Sequence, residues 1–153
     1  MNPNQLLSPH FTLEELTRSE KAAELKISNV PGDEEISNLS LLSLTLLEPI
    51  RELLGKPLVI HSGLRSTALN RAVGGVKTSA HLDGRAADFH PEGWNLQKAW
   101  TRIKDSNLPY DQLIVEHAEG GPTWLHVAMA PEGQTPRYEA FPLTTNPGRT
   151  AIS

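Results

Sequence analysis

Ser79-Ala80-His81-Leu82-Asp83-Gly84-Arg85-Ala86-Ala87-Asp88-Phe89-His90 is the stretch on which the fold turns. From Gly84 onward, Ala86, Asp88 and His90 alternate with Ala87 and Phe89, the two-residue period of a strand whose polar groups share one face. Before it, Gly74-Gly75-Val76-Lys77-Thr78 reads as a flexible loop leading to His81. The glycine pair lacks the rest of a dinucleotide-binding or phosphate-loop pattern, so it predicts a turn with close backbone approach. The stretch therefore passes from loop to strand. It carries a histidine and an aspartate seven positions apart around a glycine.

Further strands are expected downstream at Gln112–Glu116 and Trp124–Ala128, joined by Ala118-Glu119-Gly120-Gly121-Pro122 as a hairpin-like loop. Upstream, Pro57–Ser62 predicts a short strand, and Thr67–Val73 one or two helical turns. Thr12 stands three residues ahead of Glu15, the spacing of a capping box, so a short helix should start there, with Phe11 and Leu16 available as a staple. Ala22–Ile27 adds another turn before Pro31-Gly32 ends regular structure. Apolar residues recur at helical spacing from Ile36 to Leu54, which predicts the main core helix over 34–54, kinked at Pro49 and closed by Gly55. Asn95–Ile103 reads as a helix with Trp100 and Ile103 inward, and the tail 131–153, rich in Pro, Thr and Gly, as irregular. No repeat or linker divides the chain. The expectation is one α+β domain over 1–153 with its core at about 8–130: helices packed on a small, mostly antiparallel sheet.

With 153 residues the chain can bury roughly two-thirds of its unfolded surface and fold without staples. It has no cysteine, which removes disulfides and cysteine-rich metal sites and leaves His, Asp and Glu as metal ligands. A formal charge of -4 and a pI near 5.8, with dispersed charges, give no footprint for nucleic acid. The most apolar run, Leu39–Leu47, is too short to span a bilayer, and Met1–His10 has no signal-peptide character. These features predict a chain made in the cytosol, without membrane insertion, that reaches any outside target by another route.

His81, Asp88 and the distant His126 together offer one carboxylate and two imidazoles, a three-ligand set that leaves Zn²⁺ one open position for water or a substrate carbonyl. A lone histidine in a strand is more often a core or surface residue than a ligand. Six histidines are present, so chance pairing competes with this reading, although His10, His61, His90 and His117 fit no ligand set as well.

Ser79 to Asp88 matches the S-x-H-x-x-G-x-A-x-D motif of M15-type zinc peptidases, and Trp124-Leu125-His126-Val127 resembles their second histidine motif. Phe11–Leu16, Ser62–Ser66, Asn70–Gly75 and Asp111–Ile114 are similar to the phage-associated branch of the family, so the likeness spans about residues 8–130. It implies a fold like that of hedgehog and D-Ala-D-Ala peptidase domains. It also implies a monomeric metallopeptidase cutting peptidoglycan stem peptides, as a carboxypeptidase or as an endolysin-like endopeptidase, released by phage lysis or delivered by a virion. In this resemblance His81, Asp88 and His126 hold Zn²⁺. Several M15 enzymes place an acid three positions before the second histidine, where this chain has Thr123. Glu116, ending a strand expected beside that of His126, is therefore the predicted general base, with Glu119 as its rival. Arg65 would stabilise the developing oxyanion, or else tie its loop to a neighbouring carboxylate. Ser79 and Trp124 are the predicted substrate-binding residues: the Ser79 hydroxyl would bind substrate or orient His81, or else simply cap its loop, and Trp124 would wall the cleft. The competing reading is a non-catalytic zinc-binding module of a phage particle.

Overall fold

The computed structural model describes residue 2, residues 4–118 and residues 121–142. Its architecture is α+β. A two-stranded ribbon, β1 (Leu6–Ser8) and β2 (Phe11–Thr12), leads into α1 (Leu13–Thr17), and Thr12 caps this helix reciprocally with Glu15. The capping box thus forms where its spacing places it, while the ribbon is too short for any periodicity to announce it. Helix α2 (Glu20–Leu25) follows, capped by Ser19.

The long helical stretch is not a single kinked α-helix. It divides into α3 (Asp33–Leu42), a π-helical turn (Ser43–Leu47) and α4 (Glu48–Leu54). Across the turn the Glu48 N–H bonds to the Ser43 carbonyl, five residues back. Pro49 explains the widening, because its ring has no N–H to give and would crowd the carbonyl of Thr45. The apolar face survives, with Leu39, Leu42, Leu46, Leu47 and Ile50 fully buried. Gly55, at φ 67°, ends α4 in the left-handed conformation expected of a C-terminal glycine.

The main sheet consists of β3 (Leu58–Ser62), β4 (Ala86–Pro91), β5 (Gln112–Ala118), β6 (Gly121–Ala128) and β7 (Glu139–Phe141). Their spatial order is β3-β4-β6-β5-β7, antiparallel throughout except for the parallel β5–β7 pair. Helix α5 (Thr67–Ala72) and a short 3₁₀ turn (Ala80–Asp83) lie between β3 and β4, the turn occupying part of the stretch that reads as loop. Helix α6 (Leu96–Lys104) packs with α4 against one sheet face. That face is apolar: Ala87, Phe89, Leu113, Val115, Leu125 and Val127 join the helices in one core. Trp94 and Trp100 belong to this core side too, each donating its indole N–H to a backbone carbonyl, Leu54 and Leu113 respectively. The tail departs from the irregular conformation expected of it, since Glu139–Phe141 adds to the sheet edge. Proline-rich composition conceals a three-residue strand that depends on a distant partner.

Candidate metal centre

The alternation that buries Ala87 and Phe89 turns Asp88 to the opposite face of the sheet. Register then decides its neighbours, because Asp88 pairs with His126 on β6, and His126 pairs in turn with Ile114 on β5. His81 comes from the 3₁₀ turn, whose entry is capped by the Ser79 hydroxyl accepting from the His81 N–H at 3.2 Å. Gly84, at φ 75°, closes that turn where a Cβ would meet the Glu35 carbonyl at 2.9 Å. A motif glycine is therefore required here by both conformation and space.

One ligand atom each from His81, Asp88 and His126 lie within 4.8 Å of one another, and all three residues are buried. Asp88 Oδ1 stands 3.1 Å from His81 Nε2 and 2.9 Å from His126 Nδ1. The remaining ring nitrogens are engaged on the far side. His81 Nδ1 donates to the Gly63 carbonyl at 2.6 Å, and His126 Nε2 lies 3.3 Å from Gln112 Oε1. Each imidazole thus has an oxygen acceptor behind it and a nitrogen lone pair free to face the other two ligands, the arrangement a bound cation requires. The donor set, two imidazole nitrogens and a carboxylate with no thiolate, suits Zn²⁺.

Gly63 owes its identity to crowding. A Cβ there would lie 2.3 Å from the Leu16 carbonyl oxygen, which already accepts from the Leu64 N–H at 2.8 Å. The acceptor behind His81 is in this way held against the end of α1.

Arg65 is buried beside Asp88. Its guanidinium donates to Asp88 Oδ2 at 3.2 Å, Asn70 Oδ1 at 2.9 Å and Ser62 Oγ at 3.2 Å. Burial pushes the Asp88 carboxyl up, but His81 and His126 more than offset it and hold the group well below the usual carboxylate range. Burial also lowers the His81 imidazole below its ordinary value, against the pull of Asp88. Both shifts favour the deprotonated ligands that a metal needs.

Glu116 is 5% exposed and pairs with Trp124, one step along the same face from the Ile114–His126 pair. Glu119 lies outside the described residues. Two hollows flank the cluster. One, of about 590 Å³, is lined by Ser79, Gln112, Ile114 and Glu116 among others. The other, of about 710 Å³, is lined by His61, Ser62, Arg65, Asp88 and Trp124 among others.

Residues 9–128 match the Peptidase M15 family. The chain is a member of that family. M15 peptidases are zinc-dependent in general, and the His81-Asp88-His126 cluster of this M15 chain fits zinc binding. No individual curated protein matches it.

Asp88, His126 and Glu116 share one sheet face with the Trp124 position, while His81, Ser79 and Arg65 approach from the connection between β3 and β4. Sequence reasoning missed the acceptors behind the histidines, Gly63 and Gln112. Gln112 was legible in principle, because it stands two residues from the position paired with His126 and so on its face. It also missed a cross-strand pair. The β3 bulge between Ile60 and Ser62 sets His61 against His90, Nε2 to Nδ1 at 2.6 Å, and stacks it on Trp124 with ring centroids 5.5 Å apart. Burial, and then His90, lower the His61 imidazole below its ordinary value. The Trp124 indole Nε1 is buried with no hydrogen-bond partner among the described residues.

Proposed function

We propose that this chain is a zinc peptidase that hydrolyses peptide bonds in bacterial peptidoglycan, in the stem peptides or their cross-links. The observation that carries the reading is the convergence of His81 Nε2, Asp88 Oδ1 and His126 Nδ1, each imidazole backed by an acceptor on its other nitrogen, inside the part of the chain that matches the family. These three side chains would hold Zn²⁺, which when bound lowers the pKa of water to roughly 7 and polarises a carbonyl.

Around that centre Glu116 takes the proton from the attacking water and returns it to the departing amine, a role supported by its buried position on the face that carries Asp88 and His126. Arg65 orients Asp88 through a hydrogen bond, and its fixed positive charge on the cleft wall favours the oxygen on which negative charge develops. Ser79 and Trp124 border the two hollows and bind the peptide. Such a chain would act on the wall as a monomer after phage lysis or on delivery by a virion.

Thr123, standing where several relatives carry an acid, favours the second reading, a non-catalytic zinc-binding phage module. Incubating purified protein with muropeptides, with and without a chelator, separates the two. Zinc-dependent release of peptide fragments that disappears in Glu116→Ala is the expected result. Zinc binding without turnover on any muropeptide would favour the structural module, and turnover that survives chelation would sink the metal mechanism.

A further inference from the structure

The family match ends at residue 128, yet the chain continues into β7, whose Glu139 reaches back to the ligand set. Glu139 lies opposite Gln112 in the parallel β5–β7 register and accepts from Gln112 Nε2 at 3.1 Å. The same amide presents Oε1 to His126 Nε2 at 3.3 Å. The strand is fastened at this contact and just before it. The Glu139 N–H donates to the Asp111 carbonyl at 2.9 Å, and the Arg137 guanidinium grips both Asp111 carboxylate oxygens at 2.8 to 3.2 Å. Hydrogen bonds from Arg137 hold the Asp111 carboxyl below its ordinary value, so the grip is one between ions.

From this chain of contacts we infer that Glu139, outside the family match, is a positioning residue that sets which nitrogen of His126 is free to bind metal, acting through the orientation of the Gln112 amide. The inference rests on His81, Asp88 and His126 being the zinc ligands.

A glutamine amide offers an oxygen acceptor at one end and an NH₂ donor at the other, and a flip exchanges them. An ionised carboxylate only accepts, so Glu139 requires the NH₂ end of Gln112 to face it. The oxygen must then face His126, and only an Nε2–H can satisfy it. With the ring proton on Nε2, the Nδ1 lone pair is available at the position 2.9 Å from Asp88 Oδ1. Gln112 receives the N–H that the metal-bound tautomer must carry. Remove Glu139 and the amide is free to flip, setting its NH₂ against Nε2. Nε2 then becomes an acceptor, the ring proton moves to Nδ1, and zinc is opposed.

Zinc affinity, measured by competition with a chromogenic chelator, tests the inference without reference to activity. Glu139→Ala should weaken zinc binding by about 10–100-fold, the usual effect of losing such a supporting contact. In the zinc-loaded wild type the His126 Nε2–H should give a protected proton resonance, and it should exchange or shift in Glu139→Ala. The double variant Gln112→Glu with Glu139→Gln keeps both hydrogen bonds and places an acceptor-only carboxylate against Nε2–H, so it should bind zinc at least as tightly as wild type. A folded Glu139→Ala protein with wild-type zinc affinity overturns the inference and leaves the zinc peptidase reading intact. So does a folded double variant with weak affinity, and this second test holds if Glu139→Ala fails to fold. Wild-type protein that takes up no zinc sinks the reading on which the inference stands.

Discussion

Replacing Arg65 with methionine should destabilise the metal-free protein more than the zinc-loaded one. The Arg65 side chain is 3% exposed and Asp88 is 2% exposed, so neither charge has water to fall back on. The substitution strips Asp88 of a cation at 3.2 Å and takes the donor from Asn70 Oδ1, while methionine refills much of the volume. Breaking a buried pair by removing one partner costs about 3–5 kcal/mol. For a chain of this size each kcal/mol moves the melting temperature by about 2–4 °C, giving a fall of roughly 6–20 °C without metal. Zinc on Asp88 supplies positive charge at the same carboxylate, so the loss shrinks when the site is loaded. By linkage, zinc must then bind the folded variant more tightly than it binds wild type, by the difference between the two losses. Thermal melts of both proteins, in chelator and in saturating zinc, measure all four corners of this cycle. An equal or larger loss with zinc bound would refute the reasoning, and so would a metal-free shift below about 2 °C.

Glu116→Gln should lower turnover of a muropeptide by about 10²–10⁴-fold while leaving the zinc stoichiometry unchanged, as read by metal analysis of the same preparation. Acidification should destabilise the metal-free protein. His81 has a folded value below 6.5 because it is buried, so its contribution is complete above about pH 6.5 and is lost as pH falls through the folded value; Asp88, also depressed, adds the same trend below the ordinary carboxylate range. Urea midpoints between pH 7.5 and 5 check the sign, and stability that rises on acidification would contradict it. Gly63→Ala should cost about 1–3 kcal/mol or more, since a Cβ 2.3 Å from the Leu16 oxygen forces backbone to move, and it should weaken zinc binding through the displaced Gly63 carbonyl.

How much of this was written in the chain differs from element to element. The alternation from Ala86 to His90 gave both the strand and the face of Asp88, and the same period applied at Trp124 and His126 set Asp88 and His126 side by side. Local rules sufficed there because strand side chains take only two directions. The α1 cap was equally local. The π-helical turn was not legible, since a proline in a helical pattern announces strain without saying whether the helix bends or widens. Parallel pairing of β7 with β5, the bulge at His61 and the Gln112 contact all depend on registers set by the assembled sheet. For the same reason the acceptors behind His81 and His126 escaped a reading that singled out the two histidines themselves. A carbonyl oxygen has no sequence signature, and Gly63 was visible only as part of the Ser62–Ser66 likeness.

That carbonyl ties together two parts of the molecule that seem unrelated. His81 leans on Gly63, Gly63 leaves no room beyond itself, and the Leu64 N–H is bonded to Leu16. Anything that tightens the imidazole in its place tightens the docking of α1 as well. The first helix is therefore expected to respond to metal occupancy at a distance. Its susceptibility to a protease, or the exchange of its amide hydrogens, can be followed from outside the cleft with no substrate present.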